Sequence, residues 1–460
     1  MKRTLYVISD LHLGGAVGYQ MCPPAGQARL AEFVRGLVAK AAAGEQIHLL
    51  LNGDVVDFLA EEAFASFTND DKTATDKLAH VIDRTRPVWD ALAAVATSGA
   101  RLTLLLGNHD VELSFPGPRA LLARTLGRQV EFIYDNEAFT DGEVIVEHGN
   151  RYDRWNVVSH DKLRATRSAL SRREPAPTDY AGPPGSQLVQ KVMTPLKQIY
   201  PWIDLLKPEG EGMLPVLAAI KPSAMAEIPK FLAQAFAAQQ IRFDDNGAPV
   251  DPQNIAATTT AKSSLATSPA MREAMDIAGI VDIQNIAAAP DTQDLITLLR
   301  GNASAGVHKV KIGLLTRGLR MYAEASQNAF DTQQEQPVYL TAARASAAKG
   351  FKVIVYGHTH LAKRIDLGDG AVYLNTGTWA DLMQLPAGVF QGDTEAAGAQ
   401  VGAFVDDLMA GRSDQWRRQV PTFAKIEFDA NAIVSADVHL FENPRSTPSL
   451  GKGPMDILIR

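Results

Sequence analysis

The sequence predicts an α/β core interrupted by a large, mainly helical insertion, and three observations carry that reading. Short apolar, β-branched runs recur, each stopping abruptly at a polar or glycine-containing cluster. Between the first three of these runs lie patterned segments of helical length, the alternation from which α/β cores are built. From Arg151 to Gly350 the texture then changes to Ala-, Gln- and Pro-rich sequence in which helical spacing dominates.

The first strand is Leu5–Ile8, preceded by Met1-Lys2-Arg3. Its apolar stretch is too short for a signal-peptide core and has no small-residue cleavage site. Ile47–Leu51, Leu102–Leu106, Val144–Val146 and Val353–Tyr356 have the same character, as buried strands do. The connecting segments Ala28–Ala43 and Lys77–Thr97 are expected to be helices. Ala371–Leu374, Ala424–Phe428 and Ala436–Leu440 predict a mainly β ending, so residues 1–150 and 351–460 together form the core and 151–350 the insertion. Within the insertion Leu188, Val189, Val192, Met193, Leu196 and Ile199 follow helical spacing up to Pro201. A second apolar run spans Met213 to Ile220, and Pro229 is placed to open a helix carrying Phe231, Leu232 and Phe236. Arg172–Gly185 and Asp244–Pro269 read as loops.

Composition narrows the classes of function. With 460 residues, 46% hydrophobic and 21% charged, the chain has the composition of an ordinary globular protein. Lys+Arg 45 against Asp+Glu 52 gives −7, which argues against a broad nucleic-acid surface but permits a local basic patch. No stretch approaches the roughly 20 apolar residues of a spanning helix. The single cysteine, Cys22, excludes an intramolecular disulfide and a thiolate metal cluster, and fits a reducing, cytoplasmic compartment. Metal ligands must then come from His, Asp, Glu and Asn.

Such residues stand at the ends of the predicted strands: Ser9-Asp10-Leu11-His12, Gly53-Asp54-Val55-Val56-Asp57, Gly107-Asn108-His109-Asp110, Glu147-His148-Gly149-Asn150 and Gly357-His358-Thr359-His360. A strand end is rigid and exposes the next residue at the rim of the sheet, so ligands distant in sequence converge there. Glycines at these turns leave room beside a cation and a phosphate. Phosphoester hydrolysis needs a hydroxide, neutralised phosphoryl oxygens and a stabilised leaving oxygen. Two cations about 3.5–4 Å apart supply all three, because a metal lowers the pKa of bound water from 15.7 to about 7. Mixed imidazole, carboxylate and amide donors suit Mn²⁺, Fe or Zn²⁺ better than Mg²⁺, with Mn²⁺ the first choice.

These five blocks, in this order, resemble the calcineurin-like metallophosphoesterase superfamily. The resemblance implies a four-layer sandwich of two mixed β-sheets flanked by helices. It implies further that Asp10, His12, Asp54 and His360 hold one cation while Asp54, Asn108, His148 and His358 hold the other. His109 is then the catalytic imidazole that protonates the leaving oxygen or stabilises phosphoryl charge, and Asp110 the group that orients it. Asp57 is expected either to fix a ligand histidine or to serve as a turn residue. Asn150 and Arg151 either touch the substrate phosphate or, for the arginine, form a surface ion pair.

Within the superfamily Asn375-Thr376-Gly377-Thr378-Trp379 looks like the corresponding piece of UDP-diacylglucosamine pyrophosphohydrolases, which use an inserted helical lid. Those enzymes carry Arg where this chain has His109 and Asp where it has Asn150, whereas His109 is similar to phosphatases, phosphodiesterases and repair-type nucleases. The expected activity is hydrolysis of a phosphomonoester or phosphodiester, with the insertion as a cap over the site. One alternative is a lipid-linked nucleotide pyrophosphohydrolase docked peripherally on the inner membrane face through the insertion. Another is a non-catalytic scaffold that keeps the fold. The partner expected is a phosphorylated substrate rather than nucleic acid. His48, His80, His160, His308 and His439 read as packed or surface histidines.

Overall fold

The computed structural model describes residues 2–15, 20–61, 65, 67–153, 156–177, 182–183, 186, 205–207, 216, 242–243, 249–250, 312–320, 331–386, 389 and 393–442. The helices expected over Leu188–Ile199, Met213–Ile220 and around Phe231, Leu232 and Phe236 lie almost wholly outside these residues, as do the Asp244–Pro269 loop (but for 249–250) and His308.

The strands that position the site are β1 (Lys2–Ile8), β2 (Gln46–Asn52), β3 (Arg101–Leu105), β4 (Glu131–Ile133), β5 (Phe139–Asp141), β6 (Val144–Val146), β7 (Val353–Tyr356), β8 (Lys363–Gly368), β9 (Ala371–Asn375), β10 (Thr422–Asp429) and β11 (Ala432–Leu440). They form two mixed sheets. The six-stranded sheet runs β11-β10-β1-β2-β3-β4, with β1 to β4 parallel and β10 antiparallel to both β1 and β11. The five-stranded sheet runs β8-β9-β7-β6-β5, parallel through β9, β7 and β6 and antiparallel at both edges. Because β10 is paired with β1 from Lys2 against Asp429 to Val7 against Ala424, both ends of the chain share one sheet.

Alternation of side chains sorts the strands into layers. Leu5, Val7, Leu50 and Leu105 of the first sheet meet Val144, Val146, Val353, Val355 and Leu374 of the second in a buried layer between the sheets. Tyr6, Ile8, Leu49, Leu51, Leu102 and Leu104 face the other way, onto helices α1 (Pro24–Ala42), α2 (Asp71–Arg84), α3 (Arg86–Thr97) and α4 (Pro116–Leu126). On the far side Ile145, Ile354, Tyr356 and Tyr373 pack against Tyr339, Ala342 and Ala343 of α6 (Pro337–Ala348), which follows α5 (His160–Ser171) in chain order. The result is the four-layer arrangement of helices, sheet, sheet and helix. Helix α6 lies inside the range 151–350, yet it packs as the outer layer of the core.

Lys77–Thr97, expected as one helix, is two. Asp70 opens α2 by accepting the backbone N–H of Thr73 at 2.7 Å, and the helix stops at Thr85. Pro87 has no N–H to continue the ladder and its ring crowds the preceding turn. The break is well satisfied: the Thr85 hydroxyl donates to the Val81 carbonyl and accepts from the buried Trp89 indole N–H at 2.9 Å. Among the described residues no helix is long and apolar enough to cross a membrane.

Candidate metal centre

The five blocks lie at the C-terminal ends of β1, β2, β3, β6 and β7, which in each sheet are parallel neighbours, so all five open onto one rim. The chain leaves these strands under strain. Asp10, His12, Asp54, His358 and His360 all have φ between 44° and 70°, the left-handed region that costs an L-residue about 1–2 kcal/mol. Such conformations persist where surrounding structure over-determines them. Here the backbone N–H groups of Asp10, His12 and Leu13 donate to the carbonyls of Gly53, Asp54 and Val55, lacing the first two loops together. Two glycines are dictated by contact. A Cβ on Gly107 would lie 2.1 Å from Asp54 Oδ1, and one on Gly357 would lie 2.3 Å from Ser9 Oγ.

Three donor groups result among the described residues, one of them His12, Asp57 and His109. Asp10, His12 and His360 present ligand atoms within 4.8 Å of one another, and so do Asp54, His148 and His358. In the Asp10 group, His12 Nε2 is 3.0 Å from His360 Nε2, and Asp10 Oδ1 is 3.4 Å from His360 Nε2 and 4.0 Å from His12 Nε2. Asp54 Oδ2 joins that group to its own, 4.0 Å from His12 Nε2 and 3.2 Å from His148 Nε2. Its other oxygen is taken by the backbone N–H of His109 at 2.8 Å.

The donors fit divalent cations. Ligand atoms about 2.1 Å from a common ion stand about 3.0–3.4 Å apart in octahedral or tetrahedral geometry, the spacing of the shorter pairs here. Asp10 Oδ1 and Asn108 Oδ1 are buried and make no hydrogen bond, which costs about 1–3 kcal/mol each unless an ion takes them. His148 Nδ1 is 2.7 Å from the Asn52 carbonyl, so Nδ1 donates there and Nε2 faces Asp54.

Electrostatics point the same way. Burial, reinforced by the His109 imidazole, lowers the His12 pKa to about 3, and burial with the Lys207 ammonium depresses that of His360, so both rings are neutral and able to ligate. Burial alone would raise the Asp54 carboxyl, but the imidazoles of His148, His109 and His12 hold it well below the usual carboxylate range. Burial works against the charged form of His148 too, yet the Asp54 carboxylate raises its pKa to about 10, and a cation would displace that proton.

A family model for calcineurin-like phosphoesterases matches residues 3–184, a span that contains Asp10, His12, Asp54, Asn108, His109 and His148. Over those residues the chain resembles the calcineurin-like phosphoesterase family. His358 and His360 lie outside the matched span and reach the same site through β7. No curated protein matches the chain.

Around this centre the remaining expected residues divide. His109 is brought to the site, its ring 4.7 Å from that of His12. The carboxylate beside it is Asp57, with Oδ1 3.2 Å from His109 Nδ1 and Oδ2 4.0 Å from His12 Nδ1. Asp110, expected to orient His109, does something else. It is fully buried and accepts the backbone N–H groups of Val55 and Gly107, both at 2.8 Å, stapling the β2 and β3 loops. Arg151 pairs with Glu147 at 3.2 Å, and Asn150 donates its amide to the Asn156 carbonyl.

Asn375 to Trp379 supports the site from behind. Asn375 Nδ2 donates to the Gly357 carbonyl at 2.8 Å, and the Thr378 hydroxyl and Trp379 N–H both donate to the Asp10 carbonyl. Ser9 Oγ bonds to Asp10 Oδ2 and lies 2.5 Å from Thr376 Oγ1. This support was invisible in the sequence, where the segment carried only a family likeness. Away from the centre, His48 bonds Thr103 at 2.8 Å, His80 bonds Glu61 at 2.7 Å, His160 opens α5 and His439 stacks on Phe423.

Proposed function

We propose that this protein hydrolyses a phosphomonoester or phosphodiester with two divalent cations, Mn²⁺ being the first choice from the donor set. Asp10, His12, Asp54 and His360 would hold one, and Asp54, Asn108, His148 and His358 the other. The observation that carries this reading is one oxygen: Asp54 Oδ2 lies between His12 of the Asp10–His12–His360 group and His148 of its own group, while Oδ1 is tied to the His109 backbone. When bound, such a pair supplies Lewis-acid charge to the phosphoryl oxygens and a water-derived nucleophile at neutral pH.

The protein's own groups do the rest. The His109 imidazole, oriented through Nδ1 by the buried Asp57 carboxylate, is placed to pass a proton to the leaving oxygen or to stabilise phosphoryl charge through Nε2. Ser9, Thr378 and Asn375 hold the loops of Asp10 and His358 fixed, so the donors need not reorganise when charge develops. Lys207, buried within the insertion range and close enough to depress His360, brings a positive charge that suits an anionic substrate. The test is Mn²⁺-supported cleavage of bis-p-nitrophenyl phosphate and p-nitrophenyl phosphate by the wild type and by Asp54→Ala and His109→Ala. Loss of activity in Asp54→Ala is expected, and activity surviving that change would refute the shared-oxygen mechanism.

A further inference from the structure

Asp153 is outside every block that the sequence singles out, and its side chain touches the outer edge of the centre. Its Oδ2 lies 3.1 Å from His358 Nε2 and 2.7 Å from Asn156 Nδ2. A carboxylate only accepts, so the group it meets on Asn156 must be the NH₂. The Asn156 carbonyl oxygen is then the atom that faces Asn108, at 3.3 Å, and Asn108 must present its own NH₂ to it. This leaves Asn108 Oδ1 turned away, buried and without a hydrogen bond. By the same reasoning His358 directs Nε2–H to the carboxylate and keeps Nδ1 as the lone-pair nitrogen. Asn156 is held at its backbone as well: its main-chain carbonyl accepts from Asn150 Nδ2 at 2.9 Å, and its N–H donates to the Asp153 carbonyl at 3.0 Å.

We infer that Asp153, acting with Asn156, is the positioning residue of the Asn108–His148–His358 cation position: one carboxylate oxygen selects the ligating atom of two ligands. The inference rests on the two-cation reading above. It adds that the start of the insertion range, not only the core, sets affinity at one of the two positions. That position should bind more weakly when the bracket is broken, and the Asp10–His12–His360 position should not change. Loss of a partner of this kind typically weakens metal binding 10- to 100-fold.

Mn²⁺ titration by calorimetry, with Co²⁺ absorption as a second readout, compares the wild type with Asp153→Ala, Asp153→Asn and Asn156→Ala. Melting temperature in excess chelator reports whether each variant retains its fold. The expected result is two Mn²⁺ per wild-type chain, with one step weakened 10- to 100-fold in each variant, the other unchanged, and a perturbed Co²⁺ spectrum. Two unaltered steps in Asp153→Asn and Asn156→Ala would overturn the positioning role alone. Equal weakening of both steps together with a lower melting temperature in chelator would also overturn it, as a purely structural effect. A wild type that binds fewer than two cations would overturn the two-cation reading itself.

Discussion

Replacing Asp57 by Asn isolates what its charge does for His109. The two groups are 3.2 Å apart and Asp57 is 2% exposed, so solvent screens the pair little. Coulomb attraction for an imidazolium at that distance, with an effective dielectric of 20, is about 5 kcal/mol, an upper bound because the amide still accepts a hydrogen bond. A hydrogen bond to a charged group is worth about 1.5–3 kcal/mol against about 0.5–1.5 for a neutral one. The substitution therefore removes about 1–2 kcal/mol from any step in which His109 carries the proton, which is about 5- to 30-fold in kcat. The assay is kcat on bis-p-nitrophenyl phosphate at saturating Mn²⁺ for Asp57→Asn, His109→Ala and the double variant. If Asp57 acts through His109, the substitution costs nothing further once His109 is gone. An equal loss on both backgrounds would refute the argument and move the effect to His12, whose Nδ1 lies 4.0 Å from the same carboxylate.

Three further outcomes are expected. In Gly107→Ala the new methyl meets the Asp54 backbone nitrogen at 2.4 Å as well as its carboxylate, so Asp54 must shift, and Mn²⁺ affinity measured by calorimetry should fall at least about tenfold. His48 is buried and neutral, its pKa lowered by burial to about 4, so the unfolded chain binds the extra proton between pH 6.5 and about 4. Stability is complete above 6.5 and declines by up to about 3 kcal/mol as pH falls through that window; His48→Gln, keeping a partner for Thr103, should flatten the decline in urea midpoints. Mn²⁺ at 100 times its dissociation constant should stabilise the protein by about 2.7 kcal/mol, seen as a higher melting temperature that EDTA reverses; no shift would count against a folded-state cation site.

The strands and the site were legible to different depths. Leu5–Ile8, Val144–Val146 and Val353–Tyr356 stood out because a strand buried on both faces is apolar at every position, and the ligands stood out because each follows such a run. Glu131–Ile133 and Lys363–Gly368 are edge strands with exposed or charged residues, and they carry no comparable pattern. The break at Thr85 did have a signal in Pro87. Asp110 was misjudged because adjacency in sequence does not mean side chains face each other, and the true partner of His109 arrives from the β2 loop. Asp153 lies in a short turn beyond the last ligand block of that strand, where neither periodicity nor motif marks it.

The left-handed backbone at Asp10, His12, Asp54, His358 and His360 sets stability against chemistry. At about 1–2 kcal/mol apiece these five positions withhold about 5–10 kcal/mol from a protein whose net stability should be about 5–15. Glycine at any of them would relax the chain while deleting a donor. A library of variants sorted for heat resistance in the presence of chelator would therefore drift toward robust, inert proteins, and sorting in Mn²⁺ would hold the ligands in place.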